Sequence, residues 1–198
     1  YQAGKTHKDP LPTSVLDIPS SWCKYKLDEG INHRTSKPVK LMEFLLKYWS
    51  KLEYQSYEFD TGKLVYNSSR AEYTMKSIEK AYENQDLHQK IIKKVREITD
   101  RKSILIAVPT IAQATELAGK IPNAAVVHGG TPKKERNRII DEFKSQQLRV
   151  VVQVNVLTVG FDYPELDCII TGRPTNSISW WYQFVGRATR IHPLKENA

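Results

Sequence analysis

The chain has 198 residues, of which 40% are hydrophobic and 26% charged, a mixture typical of one soluble globular domain with or without an appended arm. No run of eighteen apolar residues occurs, which excludes a transmembrane helix, and the two distant cysteines, Cys23 and Cys168, argue against structural zinc and for a reducing compartment. The net charge of +8 favours a polyanionic partner, because each neutralised phosphate releases condensed counterions.

Residues 1–101 predict an irregular, mainly helical N-terminal arm. Four prolines within the first forty residues break regular structure and predict an extended lead-in with short strands. The pattern that follows predicts a helix over Val39–Leu52, a strand over Lys51–Phe59 and a turn at Thr61-Gly62. From Ala71 to Thr99 the pattern is helical and strongly charged, and it predicts two helices that meet near Asn84–Asp86.

Residues 102–198 predict a regular alternation of strands and helices. The strands are four apolar runs, at Ser103–Val108, Ala124–His128, Arg149–Val154 and Leu166–Ile170. Thr110 is predicted to cap the next helix with Gln113 in a capping box, and Gly119 to end that helix. A further helix is predicted to open at Thr131-Pro132 with proline in its first position, and to bury Ile139, Ile140 and Phe143. Such alternation predicts an α/β fold, a parallel sheet with helices on both faces.

The loops that follow the four predicted strands are polar, basic and glycine-bearing. They are Thr110, His128-Gly129-Gly130, Asn155–Asp162 and Thr171–Asn176. Ligands of open parallel sheets bind at the carboxyl ends of the strands. We therefore expect one ligand-binding edge built from these loops.

The segment Gln183–Arg190 places Gln183, Arg187 and Arg190 at positions i, i+4 and i+7, which predicts a single helix face. Ser177 or Ser179 is the predicted cap of this helix. A buried apolar stripe is predicted on the opposite side, formed by Trp181, Phe184, Val185 and Ala188. Two guanidiniums on a rigid element suit the oxygens of a transferring phosphoryl group. The alternative is an amphipathic helix that carries two solvated arginines.

Four segments in this order resemble motifs of the second RecA-like lobe of superfamily 2 helicases. They are Ile104–Thr110 (motif IV), His128–Pro132 with Glu135-Arg136 and Phe143, Val156–Pro164 (motif V) and Gln183–Arg190 (QxxGRxxR, motif VI). Together with Arg173-Pro174-Thr175, the motifs most resemble RadD-like DNA repair helicases and their phage relatives. The resemblance implies a RecA-like lobe over residues 102–198 and ATP and Mg²⁺ as cofactors.

The resemblance also implies roles for individual residues. Arg190 matches the arginine finger that contacts the γ-phosphate of ATP bound to the other lobe, and Arg187 matches its supporting partner. ATP-binding positions near the ribose and phosphates are matched by Gly160, Asp162 and Gln183. Positions that hold the nucleic-acid phosphodiester are matched by Thr110, Gly129 and Thr158. No metal ligand is implied in this half.

Local structure offers simpler explanations for several of these residues. Gly160 is also interpretable as a turn glycine and Asp162 as a local cap. Thr110 has a capping role in any case, and His128 is a polar strand-end residue for which no catalytic role is predicted. The exposed basic residues that follow Pro132 are interpretable as a solvated helix face.

The first motor lobe has no counterpart in this sequence. Ala3-Gly4-Lys5-Thr6 copies the tail of a Walker A loop, but Asp9–Pro12 follows where a helix is required. Asp28-Glu29 lacks both the family's next residues and a preceding buried strand. We therefore expect the C-terminal portion of a larger protein, which is inactive by itself and takes its first RecA-like lobe from the same parent chain.

These features predict the motor lobe of an ATP-dependent DNA helicase or translocase, in the cytoplasm of a bacterial or phage-infected cell and without a membrane partner. Three alternatives stay open. The first two are an RNA helicase and a restriction-enzyme motor subunit, because motifs IV to VI do not separate these classes. The third is a non-catalytic nucleic-acid-binding module with the same fold, although such a module has no need for two motif VI arginines.

Overall fold

The computed structural model describes residues 31–32, 37–38, 49–50, 53, 55–56, 60–67, 72–84, 86–156, 161–193 and 195. The Walker-like Ala3–Thr6 segment, Asp28-Glu29 and most of the predicted Val39–Leu52 helix and Lys51–Phe59 strand lie outside these residues. At the end of that predicted helix, Trp49 is in an isolated β-bridge with Arg190. The helix prediction is therefore wrong at Trp49 and Ser50, because pairing with a distant segment holds them extended.

Two short antiparallel ladders precede the helices of the arm. Strand β1 (Ile31–Asn32) pairs with β2 (Lys37–Pro38), and β3 (Tyr66–Asn67) pairs with β4 (Glu72–Tyr73). The predicted turn at Thr61-Gly62 is confirmed by a hydrogen bond of 3.0 Å from the Leu64 N–H to the Thr61 carbonyl.

Two helices then follow, as the charged pattern predicts. They are α1 (Met75–Asn84) and α2 (Leu87–Glu97). Between them Asp86 adopts a left-handed backbone conformation with φ of 50°, which turns the chain sharply. The predicted junction near Asn84–Asp86 is confirmed.

The second half forms a four-stranded, fully parallel sheet. Its strands are β5 (Ile104–Ala107), β6 (Ala124–His128), β7 (Val150–Val154) and β8 (Cys168–Thr171), in the order β6-β7-β5-β8. The central strand β5 pairs on both sides, so that Leu105 lies opposite Val151 in β7 and Ile169 in β8. The predicted parallel sheet is confirmed.

Three helices connect or follow these strands, namely α3 (Ile111–Lys120), α4 (Lys133–Lys144) and α5 (Ile178–Val185). Thr110 caps α3 as predicted, because its side-chain oxygen accepts from the Gln113 N–H at 3.2 Å. Gly119 does not end α3, which continues through Lys120. Pro132 is the N-cap of α4 rather than its first helical residue.

Alternation along the strands divides the interior into two cores. Ile104 and Ile106 of β5 face a core shared with α2 and α3, whereas Leu105 and Ala107 face a core that includes Phe143 of α4 and Phe184 of α5. All four β5 residues are buried, because helices cover both faces of the sheet. The predicted fold class is thereby confirmed for this half of the chain.

Helix α2 packs on the first core although it precedes residue 102. Its Ile91, Ile92 and Val95 are buried there. The Arg149 guanidinium, just before β7, donates to the carbonyls of Val95 (3.3 Å), Ile98 and Arg101 (2.9 Å). One side chain of the sheet thus satisfies the carbonyls at and beyond the end of the helix. The division of the chain at residues 101 and 102 stays a prediction.

Gly172, directly after β8, lies close to Ile91 of α2. A Cβ at this position would lie 2.7 Å from Cδ1 of Ile91 and 3.0 Å from the Ala107 carbonyl oxygen. We predict that Gly172→Ala lowers the free energy of unfolding by about 1–3 kcal/mol, because the added carbon overfills a packed site.

Gly119→Ala is the matched control, since a Cβ there meets nothing within 4 Å and alanine favours a helix by about 1 kcal/mol. Urea denaturation measures both changes, and Ile91→Val should recover part of the Gly172→Ala loss by removing Cδ1. Equal effects of the two glycine substitutions would contradict the close packing of α2.

Candidate functional site

The loops that leave the carboxyl ends of the four strands lie at one edge of the sheet, because all four strands are parallel. Hydrogen bonds continue the ladder into the loops. The Val108 N–H donates to the Gln153 carbonyl at 3.2 Å, and the Gly172 N–H donates to the Ala107 carbonyl at 2.8 Å. The described loops therefore start from fixed positions along this edge.

The loop after β6 is held by its own polar groups and by one arginine. The His128 N–H donates to Oγ1 of Thr131 at 3.0 Å, and the Gly130 N–H donates to Nδ1 of His128 at 3.1 Å. Nη2 of Arg136 donates to the carbonyls of His128 and Thr131, both at 3.3 Å. Gly129 is exposed, and a Cβ there would meet no atom within 4 Å. The backbone of this loop is thus fixed and open to a ligand.

Thr110 is half-buried at the exit of β5, the strand beside β7. Its side-chain oxygen accepts from the Gln113 N–H, so the hydroxyl hydrogen is left to donate to another acceptor. The capping role and the predicted phosphate contact are therefore chemically compatible. Ile111, the first residue of α3, is 47% exposed beside it.

The exit of β7 is fixed by a buried amide. Gln153 is 1% exposed, and its Oε1 accepts from the Val156 N–H at 3.0 Å. Asn155 between them has a φ of 55°, a left-handed conformation that asparagine tolerates. Thr158 and Gly160, for which phosphodiester and ATP contacts are predicted, lie outside the described residues.

Asp162 and Arg190 form an ion pair between the segment after β7 and the segment after α5. Both side chains are accessible, at 72% exposed for Asp162 and 43% for Arg190. Exposed ion pairs contribute little to stability, because water solvates the separated charges well. The pair is consequently easy to open for a competing anion.

Arg187 has different surroundings. It is 9% exposed, its Nη1 donates to the Phe161 carbonyl, and its guanidinium carbon lies 6.0 Å from the centre of the Phe161 ring. Burial lowers the pKa of this guanidinium from its ordinary value. Arg187 therefore attaches the turn after α5 to the residue just before Asp162.

The prediction of one helix face for Gln183, Arg187 and Arg190 is wrong. Helix α5 ends at Val185, and the Arg187 N–H then donates to the carbonyl of Phe184, three residues back. The turn is tight at Gly186, where a Cβ would lie 2.6 Å from the Tyr182 carbonyl oxygen. Gln183 is exposed on the helix, Arg187 is buried and Arg190 is extended.

The other predictions for this helix have mixed outcomes. Ser177 is the cap, with its oxygen 3.3 Å from the Trp180 nitrogen that donates to it. Phe184 and Ala188 are buried as predicted, whereas Trp181 and Val185 are only half-buried. The early end of the helix explains the difference, because a continuous stripe requires continuous 3.6-residue periodicity.

Two sets of contacts around the predicted site residues were missed by sequence reasoning. The Ser50 N–H donates to the Thr189 carbonyl at 2.6 Å, and the Ser50 hydroxyl donates to the Arg190 carbonyl at 2.8 Å. These contacts join positions about 140 residues apart, and no local pattern signals them. The N-terminal arm thus fixes the backbone on which Arg190 is mounted.

The second missed feature surrounds Arg173, in the loop after β8. Its Nη1 donates to Oδ1 of Asn155, and its guanidinium carbon lies 5.8 Å from the centre of the Trp180 ring. Burial lowers the pKa of Arg173, and Glu72 opposes this shift. The Glu72 carboxylate also accepts from the Thr175 hydroxyl and, at 2.7 Å, from the Asn176 N–H. The β3–β4 hairpin is therefore attached to this loop.

Among the described residues, no group of three or more His, Cys, Asp or Glu side chains could hold a metal ion. No helix within the described part of the chain is long and apolar enough to cross a bilayer.

The two arginines should differ sharply in their effect on stability. We predict that Arg187→Met lowers the free energy of unfolding by about 1.5–3 kcal/mol, because the Phe161 carbonyl loses a charged donor in a buried place. Arg190→Met is the matched control and should cost about 0.5 kcal/mol or less, because its ion pair is exposed. Guanidinium denaturation of the 198-residue chain measures both, and similar losses for the two variants would contradict the burial of Arg187.

Several known proteins are similar to parts of this chain. IRC3 of Saccharomyces cerevisiae, named as an ATP-dependent helicase, is 37% identical over 75 residues, which are 38% of this chain and 11% of IRC3. The ATP-dependent RNA helicase DDX42 of Mus musculus is 29% identical over 104 residues, 50% of this chain and 11% of DDX42. A 51.5 kDa protein of a Lactococcus phage is 26% identical over 163 residues, 79% of this chain and 35% of the phage protein. The chain therefore spans only a minor part of the length of these relatives.

Among solved structures, the C-terminal domain of the DEAD-box protein Dbp5 matches with a TM-score of 0.50 and 23% sequence identity. The match covers 57% of this chain and 67% of that domain. At this identity the likeness concerns the fold, and it confirms the RecA-like arrangement of the sheet and its helices. The family described as the helicase conserved C-terminal domain matches residues 83–192, which are more than half of the chain and include motifs IV, V and VI. The chain belongs to the helicase conserved C-terminal domain family.

Proposed function

We propose that this chain is the second motor lobe of an ATP-dependent DNA helicase or translocase. The observation that carries the proposal is the accessible Asp162–Arg190 pair, in a chain whose sheet also presents a polar edge with Thr110 and Gly129. An anion-binding arginine and a backbone-gripping surface are the two parts that such a lobe needs. The names of IRC3 and DDX42 support the activity class.

Arg190 is proposed as the residue that acts on ATP. Its guanidinium is 43% exposed, while Ser50 bonds to the carbonyls of Thr189 and Arg190 and so holds its backbone. In the open state it pairs with Asp162. When the two lobes close, phosphoryl oxygens of ATP on the first lobe compete for the same guanidinium. Exclusion of water strengthens the new contact, and it stabilises charge that develops in the transition state.

Arg187, which is buried, is proposed to hold in place the segments that carry Arg190 and Asp162. Its bond to the Phe161 carbonyl keeps the Asp162 segment and the motif VI turn together. The exposed Gln183 and Asp162, together with Gly160, are proposed for the ribose and phosphates of ATP. The phosphate cradle and the carboxylates for Mg²⁺ are proposed to come from a first RecA-like lobe of the parent protein, because the described residues offer no metal site of their own.

Thr110, Gly129 and Thr158 are proposed to hold a nucleic-acid backbone. Thr110 and Gly129 follow β5 and β6, which flank β7 in the order β6-β7-β5, so the two residues lie on the same edge, and Thr158 comes after β7 in the sequence. Hydroxyl and backbone N–H donors bind phosphate oxygens without reading bases. DNA is preferred over RNA because the motif V sequence resembles RadD-like helicases. The RNA helicase is the first alternative, and the name of DDX42 supports it.

A restriction-enzyme motor subunit and a non-catalytic nucleic-acid-binding module remain as further alternatives. The module would use the same edge without turnover. Arg190 is accessible, and its ion pair with Asp162 should contribute little to the stability of the fold. A pure binding module therefore has no evident need for this arginine.

In a parent protein that supplies the first lobe, Arg190→Ala should lower the rate of ATP hydrolysis by roughly 10³- to 10⁵-fold. Affinity for nucleic acid should stay within a factor of about two, because the arginine acts on the phosphoryl group. Arg190→Lys should fail as well, since a flexible point charge cannot reproduce the planar fork. Steady-state ATPase assays with saturating DNA measure these rates.

Arg96→Ala is the matched control, because Arg96 is an exposed arginine in the last turn of α2. The 198-residue chain by itself serves as a second control and should hydrolyse no ATP above background. Loss of strand binding with retained turnover in Arg190→Ala would assign this arginine to the nucleic-acid surface and overturn the proposal.

The isolated chain should bind single-stranded oligonucleotides weakly and without sequence preference. Its affinity should fall by roughly tenfold or more between 50 and 200 mM salt if several phosphates are contacted. Fluorescence anisotropy with DNA and RNA oligonucleotides of unrelated sequence measures both properties. Binding that ignores salt would contradict the phosphate contacts, and tighter binding of RNA would favour the RNA helicase.

A further inference from the structure

Lys195 is a half-buried lysine whose ammonium is surrounded by backbone carbonyls. Its Nζ donates to the carbonyl oxygens of Ala188 at 2.8 Å, Pro164 at 3.0 Å and Leu166 at 3.1 Å. An ammonium has three N–H groups and no acceptor, so these three bonds use its whole donor capacity. A solvated surface lysine does not show this arrangement, because water would take most of its donors.

The three carbonyls belong to the two segments that carry the proposed catalytic pair. Ala188 lies two residues before Arg190, and Pro164 lies two residues after Asp162. Lys195 therefore connects the motif VI turn to the end of the motif V loop. Its bonds are independent of the Asp162–Arg190 ion pair itself and of the Arg187 bond to Phe161.

Burial makes the charge of Lys195 easy to lose. It lowers the pKa of the ammonium to about 8 from an ordinary value of 10.5. Asp167 opposes the shift and Arg101 adds to it. The same two segments also carry His192 and Glu165, with Nε2 of His192 3.4 Å from Oε1 of Glu165.

We infer that Lys195 is a positioning residue that sets the distance between the Asp162 loop and the Arg190 backbone, and so determines where the arginine stands when the lobes close. The inference rests on the proposed function of Arg190. A neutral amine has two N–H groups, so at least one of the three carbonyls loses its donor when the lysine is deprotonated. The position of Arg190 should then relax.

As the pH rises, the position of Arg190 should be lost, whereas the contribution of Lys195 to the free energy of unfolding should increase. In the unfolded chain the pKa of Lys195 has its ordinary value of 10.5, whereas burial lowers this pKa to about 8 in the native state. The unfolded state therefore binds more protons between these values, and the contribution of this group to stability rises with pH across the window. The position of Arg190, in contrast, is lost as pH rises through about 8. Loosening of the site thus cannot be mistaken for unfolding.

The 198-residue chain allows a direct test. Carbon-detected NMR of the Arg190 Nε–Cζ group, assigned by its disappearance in Arg190→Lys, reports the surroundings of the guanidinium from about pH 6.5 to pH 9.5. We expect the Arg190 signal to move with a midpoint near pH 8 in the unchanged chain, while far-UV circular dichroism stays constant. In Lys195→Met the signal should occupy the high-pH position at all pH values.

Lys195→Arg keeps a positive charge at this position but removes its titration, because a guanidinium does not titrate in this range. It should retain the low-pH Arg190 signal and show no transition near pH 8. Lys93→Met is the matched control, since Lys93 is 81% exposed and pairs with Glu97 in its own helix. This control should titrate as the unchanged chain does.

The inference is overturned if the Arg190 signal is flat through pH 8 in the unchanged chain, or if its transition persists in Lys195→Arg. The titration of the unchanged chain needs no variant, so a failure of Lys195→Met to fold leaves the test intact. In a two-lobed parent, Lys195→Met should lower kcat for ATP with KM nearly unchanged. If the NMR transition appears while kcat does not respond, the positioning is real and the role proposed for Arg190 is wrong.

Discussion

The burial of the sheet on both faces is the constraint on which the rest of the structure depends. Every residue of β5 is inaccessible to water, so neighbouring residues along this strand must fill two different cores. Polar chemistry is thereby excluded from both faces and confined to the strand ends. The polar side chains and open glycine at the carboxyl edge follow from this exclusion, as does the buried Gln153, whose amide oxygen meets a loop N–H.

The contacts between the motif V and motif VI segments differ in how accessible they are to water. The deepest is the bond from Arg187 to the Phe161 carbonyl, and the most exposed is the pair of Asp162 and Arg190. Lys195 lies between these extremes. A rigid base below an exposed pair suits the role proposed for Arg190, since preorganisation reduces the rearrangement that a change of partner would require.

Much of the fold was predictable from the sequence because its signals are local. Continuous apolar runs marked all four strands to within about two residues, the Thr110 cap was readable from residue type, and the cap of α5 was narrowed to Ser177 or Ser179. The end of α5 was not predictable, because QxxGRxxR has helical spacing throughout, whereas the tight turn at Gly186 and the Arg187 N–H bond to the Phe184 carbonyl are seen only in the structure. The contacts of Ser50 and Lys195 were equally hidden, since they depend on which distant backbone happens to lie beside them.

The Arg149 guanidinium has a consequence for the order in which the chain acquires its structure. It satisfies carbonyls at the end of α2 that were synthesised up to 54 residues earlier. At about 5–20 residues per second, the ribosome needs roughly 3–11 seconds to add those residues. An eleven-residue helix is marginal alone, so α2 lacks the contacts that stabilise it until those residues have been added. Helix α2 is therefore translated early, but the carbonyls at its end gain their Arg149 donor only when the chain has reached the third strand of the sheet.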